Sequence, residues 1–331
     1  MIYGVRFVLE PRFERRRFVM KIDHVVAVDH GNKAIKNSCG FQFNSGFVSS
    51  DVEPILKQQL LQYGNTFYSL SSERFPVMID KTIDSRFFVL SLPAIANTLK
   101  GYANNNEKQD IILGVGLPIA YYGTQKNKFR EYFIKDNVEF AFNGDLFNIN
   151  IKDCMVFPQG YAGVITKFKE YVNVQVLNVI DIGGFTTDIL KTERGILDIK
   201  SCICIPMGVI HLFNQIKQEV LKLGVKIEES QIEAIILGED ITFYEESIKS
   251  IVEDITQQFV NDLLDRIREF GYEMRMNPSV FHGGGALLLR KYIENNSKVA
   301  YTEILNEFAN ADGYEILTQQ AIAKRRIEYV S

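Results

Sequence analysis

Two aspartates carry the first chemical signal. Asp29 ends the apolar run His24-Val25-Val26-Ala27-Val28 and is followed by His30, Gly31, Asn32, Lys33 and then Lys36. Asp181 ends an apolar run over residues 174–180. Ile182, Gly183, Gly184, Phe185, Thr186, Thr187 and Asp188 follow it. Each stretch reads as a buried strand, a tight glycine turn and a returning strand. A carboxylate at a strand end can hold Mg²⁺, mainly through water, because that ion keeps much of its hydration shell. Glycines let a bulky group approach the backbone, and threonine hydroxyls and turn N–H groups can donate to phosphate oxygens. Lys36 adds a positive charge suited to phosphate. Taken alone, the Asp181 stretch is equally an ordinary hairpin turn, and Asp-x-Gly is a very weak signal. The pattern occurs twice, about 150 residues apart, a repeat on the scale of a domain.

Other residues extend the list. Gln159 follows Phe157-Pro158 and precedes the small residues Gly160, Ala162 and Gly163. An uncharged amide there can orient a water without acting as a strong base. On spacing alone it is more simply a polar residue at a helix start. Gly283-Gly284-Gly285 lies between a short strand and a helix, where bare backbone can approach a flat ring or a phosphate. Lys217, Glu219 and Lys222 lie on or near the polar side of a helix over 209–223, mostly a solvated face.

The elements that must position these residues are read from periodicity and punctuation. Short strands are expected at 47–50, 66–70 and 87–90, and a helix begins near Ser91 with Pro93 in its first turn. A buried strand fills 111–118, a helix 124–133, and a hairpin over 138–151 turns at Asn143-Gly144. A strand covers 199–205. Helices cover 209–223, 227–237 and 248–270, and a short terminal helix holds Ala321.

Composition bounds the rest. The chain has 331 residues, 46% hydrophobic and 24% charged, with a formal net charge of −4. That is a globular composition with ample material for a core and no global case for binding nucleic acid. No apolar run reaches membrane-spanning length, nothing resembles a signal peptide, and the expected compartment is the cytoplasm. Cys39, Cys154, Cys202 and Cys204 fit no zinc spacing and are expected to be buried thiols. Residues 1–21 are basic, with Arg12, Arg15, Arg16 and Arg17 among them. They read as a poorly ordered extension or as sequence upstream of a natural start at Met20, rather than as an arm for nucleic acid, lipid or a neighbouring subunit.

Asp29-x-Gly31 through Lys36, then Gln159, Asp181-Ile-Gly-Gly-Phe-Thr-Thr-Asp188 and Gly283-Gly284-Gly285 stand in the order of the actin-like ATPase superfamily. The chain resembles its bacterial plasmid-segregation members, the ParM group, over roughly residues 22–325. The resemblance implies an α/β, actin-like (ribonuclease H-like) fold of two related domains with a nucleotide cleft between them. Residues 22–178 would form domain I and 179–331 domain II, the C-terminal helix returning to domain I. Asp29, Gly31, Asn32 and Lys36 would make the first phosphate loop. Asp181, Gly183, Gly184, Thr186 and Thr187 would make the second. Asp29 and Asp181 would hold hydrated Mg²⁺, Gln159 would position the attacking water, and Gly283, Gly284 and Gly285 would border the nucleoside. Lys217, Glu219 or Lys222 would reach the ribose or base. Lys33 departs from the small residue of many relatives at that turn, and either contacts phosphate or points to solvent. The implied activity is hydrolysis of ATP or GTP, promoted by head-to-tail polymerisation. A DNA-bound adaptor protein would be the other partner, with no direct nucleic-acid or membrane contact. Three alternatives share the fold: a small-molecule kinase, a heat-shock-type chaperone and a scaffold that binds nucleotide without hydrolysing it. The kinase would need a clear base where Gln159 stands, and the chaperone a substrate domain after residue 331. Intact Asp29, Asp181 and Gln159 speak against the scaffold.

Overall fold

The computed structural model describes residues 24–71, 73–104, 107–239 and 242–330, with side chains as far as 325; the basic stretch 1–21 lies outside them. Two sheets organise the chain. The first contains β1 (His24–His30), β2 (Ala34–Asn37), β3 (Gln42–Asn44), β4 (Phe47–Ser50), β5 (Leu60–Tyr63), β6 (Thr66–Leu70), β7 (Gln109–Leu117), β8 (Lys135–Phe142) and β9 (Asp145–Pro158), in the order β3-β2-β1-β7-β9-β8-β5-β6-β4. The second contains β10 (Leu177–Ile182), β11 (Thr187–Glu193), β12 (Ile196–Ile205), β13 (Ser279–His282) and β14 (Thr302–Ile304), in the order β12-β11-β10-β13-β14.

The repeat suggested by the two aspartates is a repeat of topology. In each sheet a three-strand antiparallel meander is joined, through its first strand, to two parallel strands. These are β3-β2-β1 with β7 and β9, and β12-β11-β10 with β13 and β14. Parallel neighbours need crossovers, and helices provide them. The helices are α1 (Arg86–Thr98), α2 (Ile119–Phe133), α3 (Tyr161–Ile165), α4 (Phe168–Tyr171), α5 (Val209–Leu221), α6 (Glu229–Leu237), α7 (Glu246–Glu269), α8 (Gly284–Leu288), α9 (Arg290–Glu294) and α10 (Ala309–Val330). No described helix is long and apolar enough to cross a membrane.

Each sheet has its own core. Val26, Val28, Leu113 and Val115 pack with Phe88, Leu92, Phe129 and Phe133 in the first. Ile180, Ile182 and Phe281 pack with Phe213, Phe259 and Leu264 in the second. Helix α10 returns from the second sheet to lie against β1, β7 and α3.

Several expected elements stand as read, including the hairpin at Asn143 (φ 53°) and Gly144 (φ 89°), the two positive φ values of a type I′ turn. Three readings are corrected. Residues 87–90, expected as a strand, are the first turns of α1, and Pro93 lies in its interior rather than its first turn. Phe87 through Ala96 are all buried, so the helix has no polar face for periodicity to reveal. The terminal helix is long, not short, and runs through Gly313. A Cβ on Gly313 would lie 1.9 Å from the Ala162 carbonyl oxygen, so this glycine is present for close helix contact rather than a turn. Of the four free thiols, only Cys154 is buried, and Cys39 is exposed.

Candidate functional site

The two strand–turn–strand units meet across a cleft of about 750 Å³, including space open to solvent. Asp29 on β1 pairs in register with Lys36 on β2; Asp181 on β10 pairs in register with Asp188 on β11. The seven-residue spacing is identical, so the two jaws present Asp–Lys and Asp–Asp at corresponding places. Asp29, Lys36, Asp181 and Asp188 all line the cleft and are buried.

Amides tie the carboxylates together. Gln159, just after β9, donates from Nε2 to Asp29 Oδ1 at 2.9 Å. Asn310, at the start of α10, donates from Nδ2 to Asp181 Oδ2 at 2.8 Å and accepts the Gly160 N–H at 3.1 Å. One asparagine thus links the second jaw to the chain leaving the first sheet. His282 Nδ1 stands 3.7 Å from Asp181 Oδ1, and the buried ring touches Gly163 closely enough to leave no room for a Cβ there.

Most of the expected site residues converge. Gly31, Asn32, Gly183, Gly184, Thr186, Gly283, Gly284 and Gly285 line the cleft with the four charged residues and Gln159. The glycines have separate reasons. A Cβ on Gly283 (φ 86°) would lie 2.4 Å from Asp181 Oδ1, and one on Gly285 would lie 2.5 Å from the Ile182 side chain. These two let α8 pack against β10. A Cβ on Gly284 would meet only Lys36 Nζ, at 3.5 Å, so this residue offers bare backbone to the cleft.

Four expected residues lie elsewhere, among them Glu219 and Lys222, which pair with each other at 2.6 Å. Thr187 is fully buried and its hydroxyl donates to the Met207 carbonyl at 2.6 Å, away from the cleft lining. Lys217 pairs with Glu229 at 3.2 Å and is not a lining residue. Lys33 both lines the cleft and forms an ion pair with Glu233.

Three polar lining residues were absent from the sequence list: Lys81, Asp188 and Asn310. Lys81 comes from the segment between β6 and α1. It is 4% exposed, and its ammonium donates to the His30 carbonyl. Burial pulls its pKa down to about 8, against the pull of Asp29 and Asp188. Burial pushes Asp188 up to about 7; the Cys204 thiol and Lys81 oppose this and Asp181 adds to it. One Asp188 oxygen has no hydrogen-bond partner in the structure. Asp29 is raised by burial and by Asp181, with Lys36, Gln159 and Lys81 opposing. Lys36 is lowered by burial, against Asp29 and Asp181. The cleft is therefore a charge-dense site whose buried groups have shifted titrations, as is common where a charged ligand binds.

A pH dependence follows. Unfolded Asp188 titrates near pH 4, folded Asp188 near 7, so the folded chain binds the extra proton between those values. The stability held below pH ~4 is lost as pH rises through ~7. Asp188→Asn is expected to be more stable than the parent at pH 8, by ~2–4 kcal/mol, with the difference closing towards pH 4. Thermal melts across that range check this; equal melting temperatures at pH 8 would contradict it.

The donor set suits a hydrated divalent cation. Two hard carboxylates face each other with amides beside them, and among the described residues no three acidic, histidine or cysteine side chains gather to hold a bare ion. Asp29 and Asp181 would hold Mg²⁺ mainly through water.

Comparison with known proteins agrees with this geometry. A family model described as the N-terminal domain of actin-like proteins matches residues 27–161, and one described as the C-terminal part of archaeal MreB-like actin homologues matches 179–295. No curated protein sequence matches the chain. Among solved structures, an archaeal actin homologue is 18% identical with a TM-score of 0.70, covering 90% of this chain and 99% of its own. A 15-stranded ParM filament from Clostridium botulinum is 19% identical with a TM-score of 0.70, covering 90% and 99%. A Bacillus thuringiensis ParM with ATP is 15% identical with a TM-score of 0.62, covering 89% and 98%. At these identities the likeness is one of fold. Together the two family models span both jaws of the cleft, and the chain belongs to the actin-like proteins.

Proposed function

We propose that the chain binds ATP or GTP with Mg²⁺ in the cleft and hydrolyses it during head-to-tail polymerisation, as a cytoplasmic filament that segregates plasmid or other DNA through a DNA-bound adaptor. The observation that carries this reading is the meeting of Asp29 and Asp181 at corresponding strand ends, with Gln159 held on Asp29. Similar solved structures support it: a ParM filament, a ParM with ATP and an archaeal actin homologue in complex with ADP.

The chain's residues divide the work. Backbone N–H groups of the Gly31–Lys33 and Gly184–Thr186 turns would face the phosphates, and buried Lys36 and Lys81 would offset their charge. Asp29 and Asp181 would hold the hydrated ion, which would neutralise charge developing on the phosphates. Gln159 spends its amide N–H on Asp29, leaving its carbonyl oxygen to accept from a water and orient it. Since Asp29 and Gln159 belong to one half and Asp181 to the other, the geometry depends on how the halves close, and contact between subunits would set it.

The test is sedimentation with simultaneous phosphate release. The chain is expected to pellet with Mg²⁺ and ATP or GTP and to return to the supernatant as nucleotide is consumed. No pelleting with either nucleotide over a wide concentration range would sink the filament reading. Gln159→Ala is expected to polymerise but to release phosphate ~10²-fold more slowly, so that its filaments persist. An unchanged release rate would remove Gln159 from this role.

A further inference from the structure

Beside the cleft, the two halves grip each other through side chains that the hydrolytic reading does not use. Lys33, in the turn between β1 and β2, pairs with Glu233 on α6, and its ammonium lies 5.1 Å from the centroid of the Phe213 ring on α5. Arg74, in the segment after β6, lies 3.4 Å from Glu229, also on α6, and its guanidinium stands 5.1 Å from the centroid of Phe185 in the β10–β11 turn. Lys217 on α5 holds Glu229 from the other side at 3.2 Å. The turns also touch directly: a Cβ on Gly184 would lie 3.1 Å from Lys33 Cβ.

The arrangement is specific to opposite faces of the cleft. Glu229 and Glu233 are four residues apart on α6 and so share one face, a like-charge pair that weakens an isolated helix. Here each acid meets a cation from the first half. All five charged side chains are between 20% and 34% exposed, half-dry enough for the pairs to count and wet enough for salt to screen them. Lys33 and Phe185 line the cleft as well, so the grip lies at its rim.

We propose that Lys33, Arg74, Glu229 and Glu233, with Phe185 and Phe213, form a clasp that holds the two halves together and sets the rate at which nucleotide enters and leaves. The proposal rests on the nucleotide reading given above. It gives Lys33, for which a phosphate contact and solvent were both open, a place in the clasp, and Lys217, expected at the ribose or base, the task of steadying Glu229. The clasp acts on passage, not on the chemical step: none of its acids is a lining residue of the cleft.

The test is release of mant-ADP with Mg²⁺ followed by stopped flow, beside small-angle scattering of the nucleotide-free chain. The double variant Glu229→Gln, Glu233→Gln is expected to release mant-ADP about tenfold faster, the combined scale of two part-exposed ion pairs and the cation–π contacts they hold in place. Its nucleotide-free radius of gyration should exceed the parent's. Arg74→Gln should speed release in the parent and add less once Glu229 is already Gln, since only its contact with the Phe185 ring is then left to lose. Raising salt from ~0.05 to ~0.5 M should speed release in the parent and leave the double variant nearly unaffected. The control Glu294→Gln removes an exposed pair with Arg290 remote from the clasp and should change neither readout. Unchanged release and unchanged scattering in the double variant would overturn the clasp. A parent chain that binds no nucleotide would overturn the function proposed above, and the scattering comparison would still decide the clasp.

Discussion

Asp181→Asn is expected to lower phosphate release by ~10²-fold or more and to leave the chain folded. The substitution keeps shape and hydrogen bonding: Asn310 can still donate to the carbonyl oxygen of an asparagine at 181, as it does to Asp181 Oδ2 at 2.8 Å. What disappears is one of the two negative charges that would hold a hydrated cation against the phosphates. The change also relieves Asp29, which Asp181 helps to raise, so the variant should melt no lower than the parent at neutral pH. Phosphate release and a thermal melt on the same preparation check both halves. A parental rate with parental stability would show that Asp181 is a structural residue only.

The second large effect concerns stability. Gly313→Ala is expected to cost ~3–5 kcal/mol, enough to cripple folding of many domains. The Cβ would stand 1.9 Å from the Ala162 carbonyl oxygen and 2.4 Å from its carbon, backbone atoms that cannot rotate aside. The damage would fall near the cleft. Ala162 belongs to α3, three residues after Gln159, and Asn310, which holds Asp181, is one turn before Gly313 on α10. Forcing α10 away from α3 would therefore also misplace Asn310. Gly123→Ala is the matched control. It sits inside α2 with nothing within 4 Å of its Cβ, and alanine there should be neutral or stabilising by up to ~1 kcal/mol. Chemical denaturation of both variants decides the matter; equal stability would mean that the α3–α10 contact is looser than described.

The parts of this molecule legible in the sequence were those written in local pattern. Asp29 and Asp181 were visible because each ends an apolar run and precedes a glycine turn, and because the unit recurs. The hairpin at Asn143-Gly144 announced itself by turn chemistry. What failed was whatever depends on distant packing. Phe87 to Leu90 is an apolar, aromatic run that suits a strand, and because Phe87 through Ala96 are all buried no polar face marks it as helical. The terminal helix reads as short, and only the structure shows it running through Gly313 with Ala162 pressed against it. Lys81 sits in a segment with no motif, and only the fold carries it into the cleft beneath His30. Thr187 and Lys217 show the converse. Their types suited a phosphate or a ribose, but a carbonyl of residue 207 and the Glu229 carboxylate take them.

Asp188 was legible as a letter of the motif and not as a chemical group. Its seven-residue distance from Asp181 equals that between Asp29 and Lys36, which is a statement about paired strands before it is one about charge. The register puts a cation opposite one aspartate and a carboxyl opposite the other. That asymmetry leaves Asp181 facing a carboxyl rather than an ammonium, the side on which a divalent cation accompanying a nucleotide would sit.

Calorimetric titration of the full chain with ATP and with GTP, each in Mg²⁺ and again with Mg²⁺ chelated, tests the central claim most directly. The account predicts one nucleotide per chain, bound with Mg²⁺ and weakened many-fold without it. No binding of either nucleotide at millimolar concentration, or binding indifferent to Mg²⁺, would contradict it.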